Sequence, residues 1–142
     1  MKFVKQTMVC IAFIMILNIS LAACSAPTQK KNLWDSAMYT EDTTLGTGEK
    51  KVQVTVKVGG NSVVFTLHTD KETLEEALTE HQLISGEQGM YGMYVKTVNG
   101  IEADYEKHQA YWGLFRDGAS MQTGVSGENI SGGETYELVY TR

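Results

Sequence analysis

Between Lys51 and His68 apolar and polar positions alternate with a period of two. Val52, Val54, Val56 and Val58 interleave with Lys51, Gln53, Thr55 and Lys57. After Gly59-Gly60-Asn61, Val63, Phe65 and Leu67 interleave with Ser62, Thr66 and His68. Successive side chains of a strand point to opposite faces, so this pattern predicts a β-hairpin with one apolar face. The period then changes. Leu74, Ala77 and Leu78, extended by His81 or Leu83, recur at helical spacing, with Glu75, Glu76, Thr79 and Glu80 on the water side. Thr69 and Glu72 have the spacing of a capping box, and Gly86 and Gly89 are expected in a loop beyond the helix. Further strands are predicted at 93–98, closed by Asn99-Gly100, and at 111–116, closed by Asp117-Gly118 and continued over 119–125. Residues 101–109 read as polar and irregular. A last strand at 135–141 follows Gly132-Gly133 and sets Tyr136, Leu138 and Tyr140 on one side. Two strands, one helix and two or three more strands predict an α+β fold. The expected architecture is β-grasp-like, a four- to five-stranded mixed sheet with one helix packed on one face.

The N-terminal pattern belongs to export rather than to the fold. Lys2 and Lys5 precede a nearly unbroken apolar run from Met8 to Ile19, and Leu21-Ala22-Ala23 stands directly before Cys24. That order is the signature of a lipoprotein signal, whereas the run is too short for a spanning helix of about 20 residues. The division expected is therefore 1–23 signal peptide, 24–50 lipidated cysteine and polar tether, and 51–142 folded domain. Cleavage before Cys24 would leave that cysteine acylated with palmitate-class chains on the extracytoplasmic face of a bacterial membrane, and several chains on one residue anchor stably. Cys10 is discarded with the signal, so the mature chain has neither free thiol nor disulfide and must stand on its core alone. A tether of about 25 residues reaches roughly 25–30 Å as a coil. Trp34, Met38 and Tyr39 are unusual in a linker, and either fold back on the domain or act as spacer residues near the bilayer.

The 142 residues leave room for one domain. Losing Lys2 and Lys5 from 12 basic residues leaves 10 against 17 Asp and Glu, a net charge of −7. Such a surface repels phosphates, which argues against a nucleic-acid partner. His68, His81 and His108 have no metal-ligand spacing to one another or to a cysteine, so no metal site is expected. No P-loop, nucleophile elbow or EF-hand spacing occurs, and Glu75-Glu76 is a water-facing pair rather than an acid–base dyad. The expectation is a protein that is not an enzyme and carries no cofactor of its own.

Aromatic residues gather in the C-terminal half: Tyr91, Tyr94, Tyr105, Tyr111, Trp112 and Phe115. In an extended 111–116 segment Tyr111 and Phe115 point one way and Trp112 and Leu114 the other, and the helix seals one side only. With Trp112 and Leu114 inside, Tyr111 and Phe115 flank a notch at Gly113 on the bare side. That strip can seat a flat ligand, or else lies covered by the tether or the 101–109 loop.

Three segments resemble the C-terminal domain of the transcobalamin, intrinsic factor and haptocorrin family. They are Gly89-Met90-Tyr91-Gly92-Met93-Tyr94-Val95-Lys96-Thr97-Val98-Asn99-Gly100, Tyr111-Trp112-Gly113-Leu114-Phe115-Arg116-Asp117-Gly118, and Gly124-Val125 followed by Gly133-Glu134-Thr135. Residues 51–142 as a whole look like the free-standing bacterial form of that domain, found in surface lipoproteins of gut Firmicutes. Glu128 stands near a position that the family tends to fill with an aromatic residue. The resemblance implies a cell-surface binding module that captures a corrinoid, or a similarly flat small molecule, for uptake. The contacts would come from Tyr91, Met93, Tyr94, Tyr111 and Phe115, with Trp112 as support or rim. The helical domain that completes the carriers' site is missing, so the chain alone makes fewer contacts. The alternative is a protein-interaction module docking on a membrane transporter subunit or another surface protein, through the same strip or an open sheet edge.

Overall fold

A computed structural model describes residues 31–142, which form one compact unit. The signal-peptide and Cys24 lipidation assignments lie outside the described residues. The alternating segments form the expected hairpin: β2 (Lys50–Val58) pairs antiparallel with β3 (Asn61–Thr69) across the two-residue turn Gly59-Gly60. Every apolar position of the period-two pattern is buried, from Val52 to Val58 and from Val63 to Leu67.

This hairpin is the middle of a larger sheet than the sequence predicts. β1 (Thr43–Gly46) adds parallel to β3. On the other side β9 (Thr135–Thr141) adds parallel to β2, and β7 (Tyr111–Arg116) and β8 (Ala119–Ser120) follow antiparallel, giving six strands in the order β1-β3-β2-β9-β7-β8. A separate antiparallel sheet contains β4 (Ile84–Gly89), β5 (Gly92–Val98) and β6 (Ile101–Glu102). The fold is thus mostly β with mixed pairing and one main helix, α1 (Leu74–Glu80). The expected single sheet of four to five strands is corrected to sheets of six and three. The inner face of the large sheet shares one apolar core with Leu74, Ala77 and Leu78 of α1 and with Leu83, Ile84, Val98 and Ile101 around the small sheet. Helix and small sheet therefore cover the same face of the six-stranded sheet.

Local expectations fail where backbone pairing decides the outcome. The capping box is made by Thr73 and Glu76, not by Thr69 and Glu72. β3 runs on through Thr69, whose hydroxyl accepts the Lys71 N–H and donates to Glu80, so the helix begins one turn later. Gly86 and Gly89 lie in strand β4 rather than in a loop; a bulge at Ser85/Gly86 fits this largely exposed strand onto β5. Residues 101–109 contain β6 and the short helix α2 (Tyr105–His108). The strand after Asp117-Gly118 ends at Ser120, and Val125–Gly127 forms a 3-10 turn. Both predicted turns exist, with left-handed φ at Asn99 and Gly100 and at Asp117 and Gly118.

The stretch expected as tether is partly folded, so the compact unit starts at Lys31 rather than Lys51. Asn99 draws it in. This residue is fully buried; its side chain accepts the Tyr39 N–H at 2.9 Å and donates to the Tyr39 carbonyl at 2.8 Å. Its backbone carbonyl accepts the Met38 N–H at 2.8 Å. A Cβ at Gly100 would stand 2.6 Å from the Ser36 carbonyl oxygen, so the close approach requires glycine there. Trp34 and Tyr39 pack on the core, Tyr39 edge-on to Phe65 at 5.5 Å, while Met38 stays exposed.

Candidate ligand-binding surface

Cross-strand register divides the β7 side chains as the alternation requires. Trp112 opposes Tyr140 and Leu114 opposes Leu138 on the core side, whereas Tyr111, Gly113 and Phe115 oppose Thr141, Val139 and Glu137 on the other. Trp112 is buried in the core, edge-on to Tyr140 at 5.5 Å. Tyr111 is 41% exposed and Phe115 half-buried. The expected notch is nevertheless closed: the Phe115 ring leans back over Gly113, so that a Cβ there would lie 3.2 Å from the ring edge. The outer face is a shallow strip of Thr, Val, Tyr and Phe, crossed by the Lys57–Glu137 ion pair at 2.9 Å.

The remaining three proposed contacts lie elsewhere. Met93 packs against the core, and β5 stacks on the inner side of the large sheet. The sheet therefore stands between Tyr91, Met93 and Tyr94 and the pair Tyr111 and Phe115, and the single six-residue surface expected from sequence is not assembled. Met93 is a support. Tyr91 is 94% exposed at the tip of the β4–β5 hairpin, beside Met90 at 90%, and Tyr94 stands on β5. Met90 was missed in the sequence, although a Met-Tyr pair between Gly89 and Gly92 is the signal for an apolar tip.

That tip is held by a polar clamp. The Ser126 hydroxyl accepts the Met93 N–H at 2.8 Å and donates to a Glu75 carboxylate oxygen. Gln88 donates to the other Glu75 oxygen at 2.8 Å. Gly92, at φ +102°, leaves no room for a Cβ against Ser126. Both strands of the hairpin are thereby tied to α1 and to the 3-10 turn at 125–127. Beside the hairpin, Glu87, Tyr94, Lys96, Asp104, Tyr105 and Glu106 line a hollow of about 440 Å³ between β4–β5 and α2. Lys96 donates to Glu87 at 2.7 Å, and this hydrogen bond raises its pKa, helped by the charges of Glu87, Asp104 and Glu106.

Glu128 does not face water. It is buried, accepts from Arg116 Nη1 at 2.6 Å and from the Tyr136 hydroxyl at 2.7 Å, and Arg116 lies 5.9 Å from the centre of the Tyr136 ring. Burial, then the Glu128 carboxylate, push the Tyr136 phenol well above its ordinary pKa. The ion pair fastens the 125–130 loop beneath β7 and β9, so the departure at Glu128 is structural. Among the described residues no group of three or more His, Cys, Asp or Glu side chains converges as a metal site.

A family described as a domain of unknown function, DUF4430, matches residues 71–141. The chain belongs to this family. The DUF4430 match contains α1, the clamp, the exposed hairpin and β7, but not β1–β3, which complete the large sheet. A crystal structure from Ruminococcus gnavus ATCC 29149, named as a candidate metal-binding protein, superposes with a TM-score of 0.62 at 34% identity, over 66% of this chain and 98% of that one. Haptocorrin in complex with Cbi superposes with a TM-score of 0.50 at 18% identity, over 69% of this chain and 26% of haptocorrin, so the DUF4430 chain spans about a quarter of that protein and shares its fold there. Comparison with curated proteins found no match.

Proposed function

We propose that this DUF4430 protein is a non-catalytic ligand-binding domain that captures a corrinoid through the β4–β5 hairpin, displayed by a lipid anchor at Cys24 outside a bacterial membrane. The observation that carries the reading is the hairpin tip. Two large apolar side chains, Met90 and Tyr91, stand almost wholly in water, yet the clamp fixes the strands beneath them. Exposed aromatic surface on a fixed support favours a flat, partly apolar ligand. The fold shared with haptocorrin, which was solved with Cbi bound, and the sequence resemblance to the transcobalamin family both support a corrinoid. Tyr91 and Tyr94 are the contacts of this reading; Tyr111 and Phe115 form a separate strip on the far face.

The test uses the full chain in neutral detergent, mixed with cobinamide or cobalamin and passed over a sizing column. Covering about half of one tyrosine ring contributes about 1.5–2 kcal/mol at roughly 25 cal/mol per Å². Coloured ligand is expected to travel with the protein and Tyr91→Ala to weaken binding roughly tenfold or more. A colourless protein peak with millimolar ligand overturns the reading. The second reading, docking on a transporter subunit or other surface protein, is favoured by the outer edge of β4, where five of six residues are exposed.

A further inference from the structure

Charge is distributed unevenly in this protein. From Asp70 to Glu106 there are nine carboxylates against two lysines, a net charge of −7. The other described residues, 31–69 and 107–142, hold eight carboxylates against seven basic residues, a net of −1. The segment from 70 to 106 is the layer of α1, the small sheet and the start of α2, which lies on one side of the six-stranded sheet. Among the described residues, four of the seven exposed large apolar side chains are on the same layer: Met90, Tyr91, Tyr94 and Tyr105.

The two features meet in the 440 Å³ hollow. Tyr94 and Tyr105, 47% and 60% exposed, are among its walls, and Glu87, Asp104 and Glu106 supply the charge. The one cation in it, Lys96, is bound to Glu87 at 2.7 Å, and Asp104 is paired with Lys107 at 3.2 Å. Glu106 has no ion pair among the described residues. A tyrosine face attracts a cation through its quadrupole, and carboxylates beside it add to that attraction. The negative charge also extends past the hollow to α1, where Glu75, Glu76 and Glu80 outnumber the one cation, Lys71, in the lining of a second depression of about 340 Å³. A single small cation would use one depression only. Charge spread over the whole layer fits several cations on one extended partner.

We propose that this layer docks a basic polypeptide segment, with a lysine or arginine side chain seated between Tyr94 and Tyr105. The proposal rests on the docking reading and is independent of corrinoid capture by Tyr91. Complementary charge steers the encounter, and the aromatic hollow gives it a fixed place.

The experiment measures binding of a fluorescent nonapeptide with alternating arginine and glycine to the full chain in neutral detergent, at 50 and 300 mM salt. Spermidine serves as a competitor. Expected is saturable binding that weakens with salt, falls about tenfold in the double variant Tyr105→Ala/Glu106→Lys, and stays within twofold in Glu41→Lys, which makes the same charge change outside the layer. Both positions of the double variant are exposed, and circular dichroism reports whether its fold is intact. Equal losses in the two variants, or no binding at low salt, would overturn the proposal. Displacement by spermidine as effective as by unlabelled peptide would show a small-cation site and overturn the polypeptide assignment. Loss of cobinamide binding alone, in Tyr91→Ala, would leave this result untouched.

Discussion

Replacing Ser126 by alanine tests whether the hairpin is held or merely present. The hydroxyl makes two contacts, accepting the part-buried Met93 N–H and donating to the Glu75 carboxylate. A hydrogen bond to a charged group contributes about 1.5–3 kcal/mol, and a buried N–H left without a partner costs about 1–3 kcal/mol. Both sites are only partly shielded, so water recovers some of this, and roughly 1–2 kcal/mol is the expected loss in denaturant unfolding. The location of the loss matters more than its size. Amide exchange in residues 86–95 should quicken about tenfold beyond the change seen in β2 and β3, because about 1.4 kcal/mol corresponds to that factor. Ser126→Thr, which keeps the hydroxyl, should restore slow exchange. A destabilisation below about 0.5 kcal/mol with unaltered exchange at 86–95 would refute the clamp.

Two further perturbations address the rest of the fold. Asn99→Ala removes both hydrogen bonds to Tyr39, and a loss of about 2–3 kcal/mol is expected, since part-buried backbone groups are left unpaired; limited proteolysis should then cut first within residues 31–42, and an unchanged cleavage pattern would contradict the account. At the start of α1, backbone N–H groups of Thr73 and Glu72 hold the Glu76 pKa below its ordinary value of 4.5. A lowered folded-state pKa gives stability that is present above the unfolded value and lost as pH falls through the folded one. The stability difference between the native chain and Glu76→Ala should therefore be constant from pH 8 to 6 and shrink below about pH 4.5 in urea titrations; a difference that grows in acid would contradict the cap.

How much of this was legible in the sequence follows from which interactions are local. β2, β3 and the sidedness of β7 were read from alternation, because burying one face of a strand imposes period two on its own residues. The Asn-Gly and Asp-Gly turns were legible for the same reason, since their conformation belongs to the residues themselves. β1 and β4 were not. Thr43-Thr44-Leu45-Gly46, half exposed, and Ile84-Ser85-Gly86-Glu87-Gln88-Gly89, largely exposed, are edge strands held by backbone pairing, which leaves little trace in side-chain polarity. The folding of the 31–42 segment depends on Asn99, 60 residues from Tyr39, a contact no window reveals. The candidate surface suffered the same way. The aromatic cluster was visible, but its division between two faces depends on β5 belonging to the small sheet, and the Phe115 ring closing the Gly113 notch is a rotamer, not a pattern.

The most direct test of the central claim is an amide-exchange footprint of the full chain, in neutral detergent, with and without saturating cobinamide. The account predicts slowed exchange at residues 88–95 around the Met90–Tyr91 tip, with 111–116 unchanged. Protection confined to the Tyr111–Phe115 strip, or none anywhere, would contradict it.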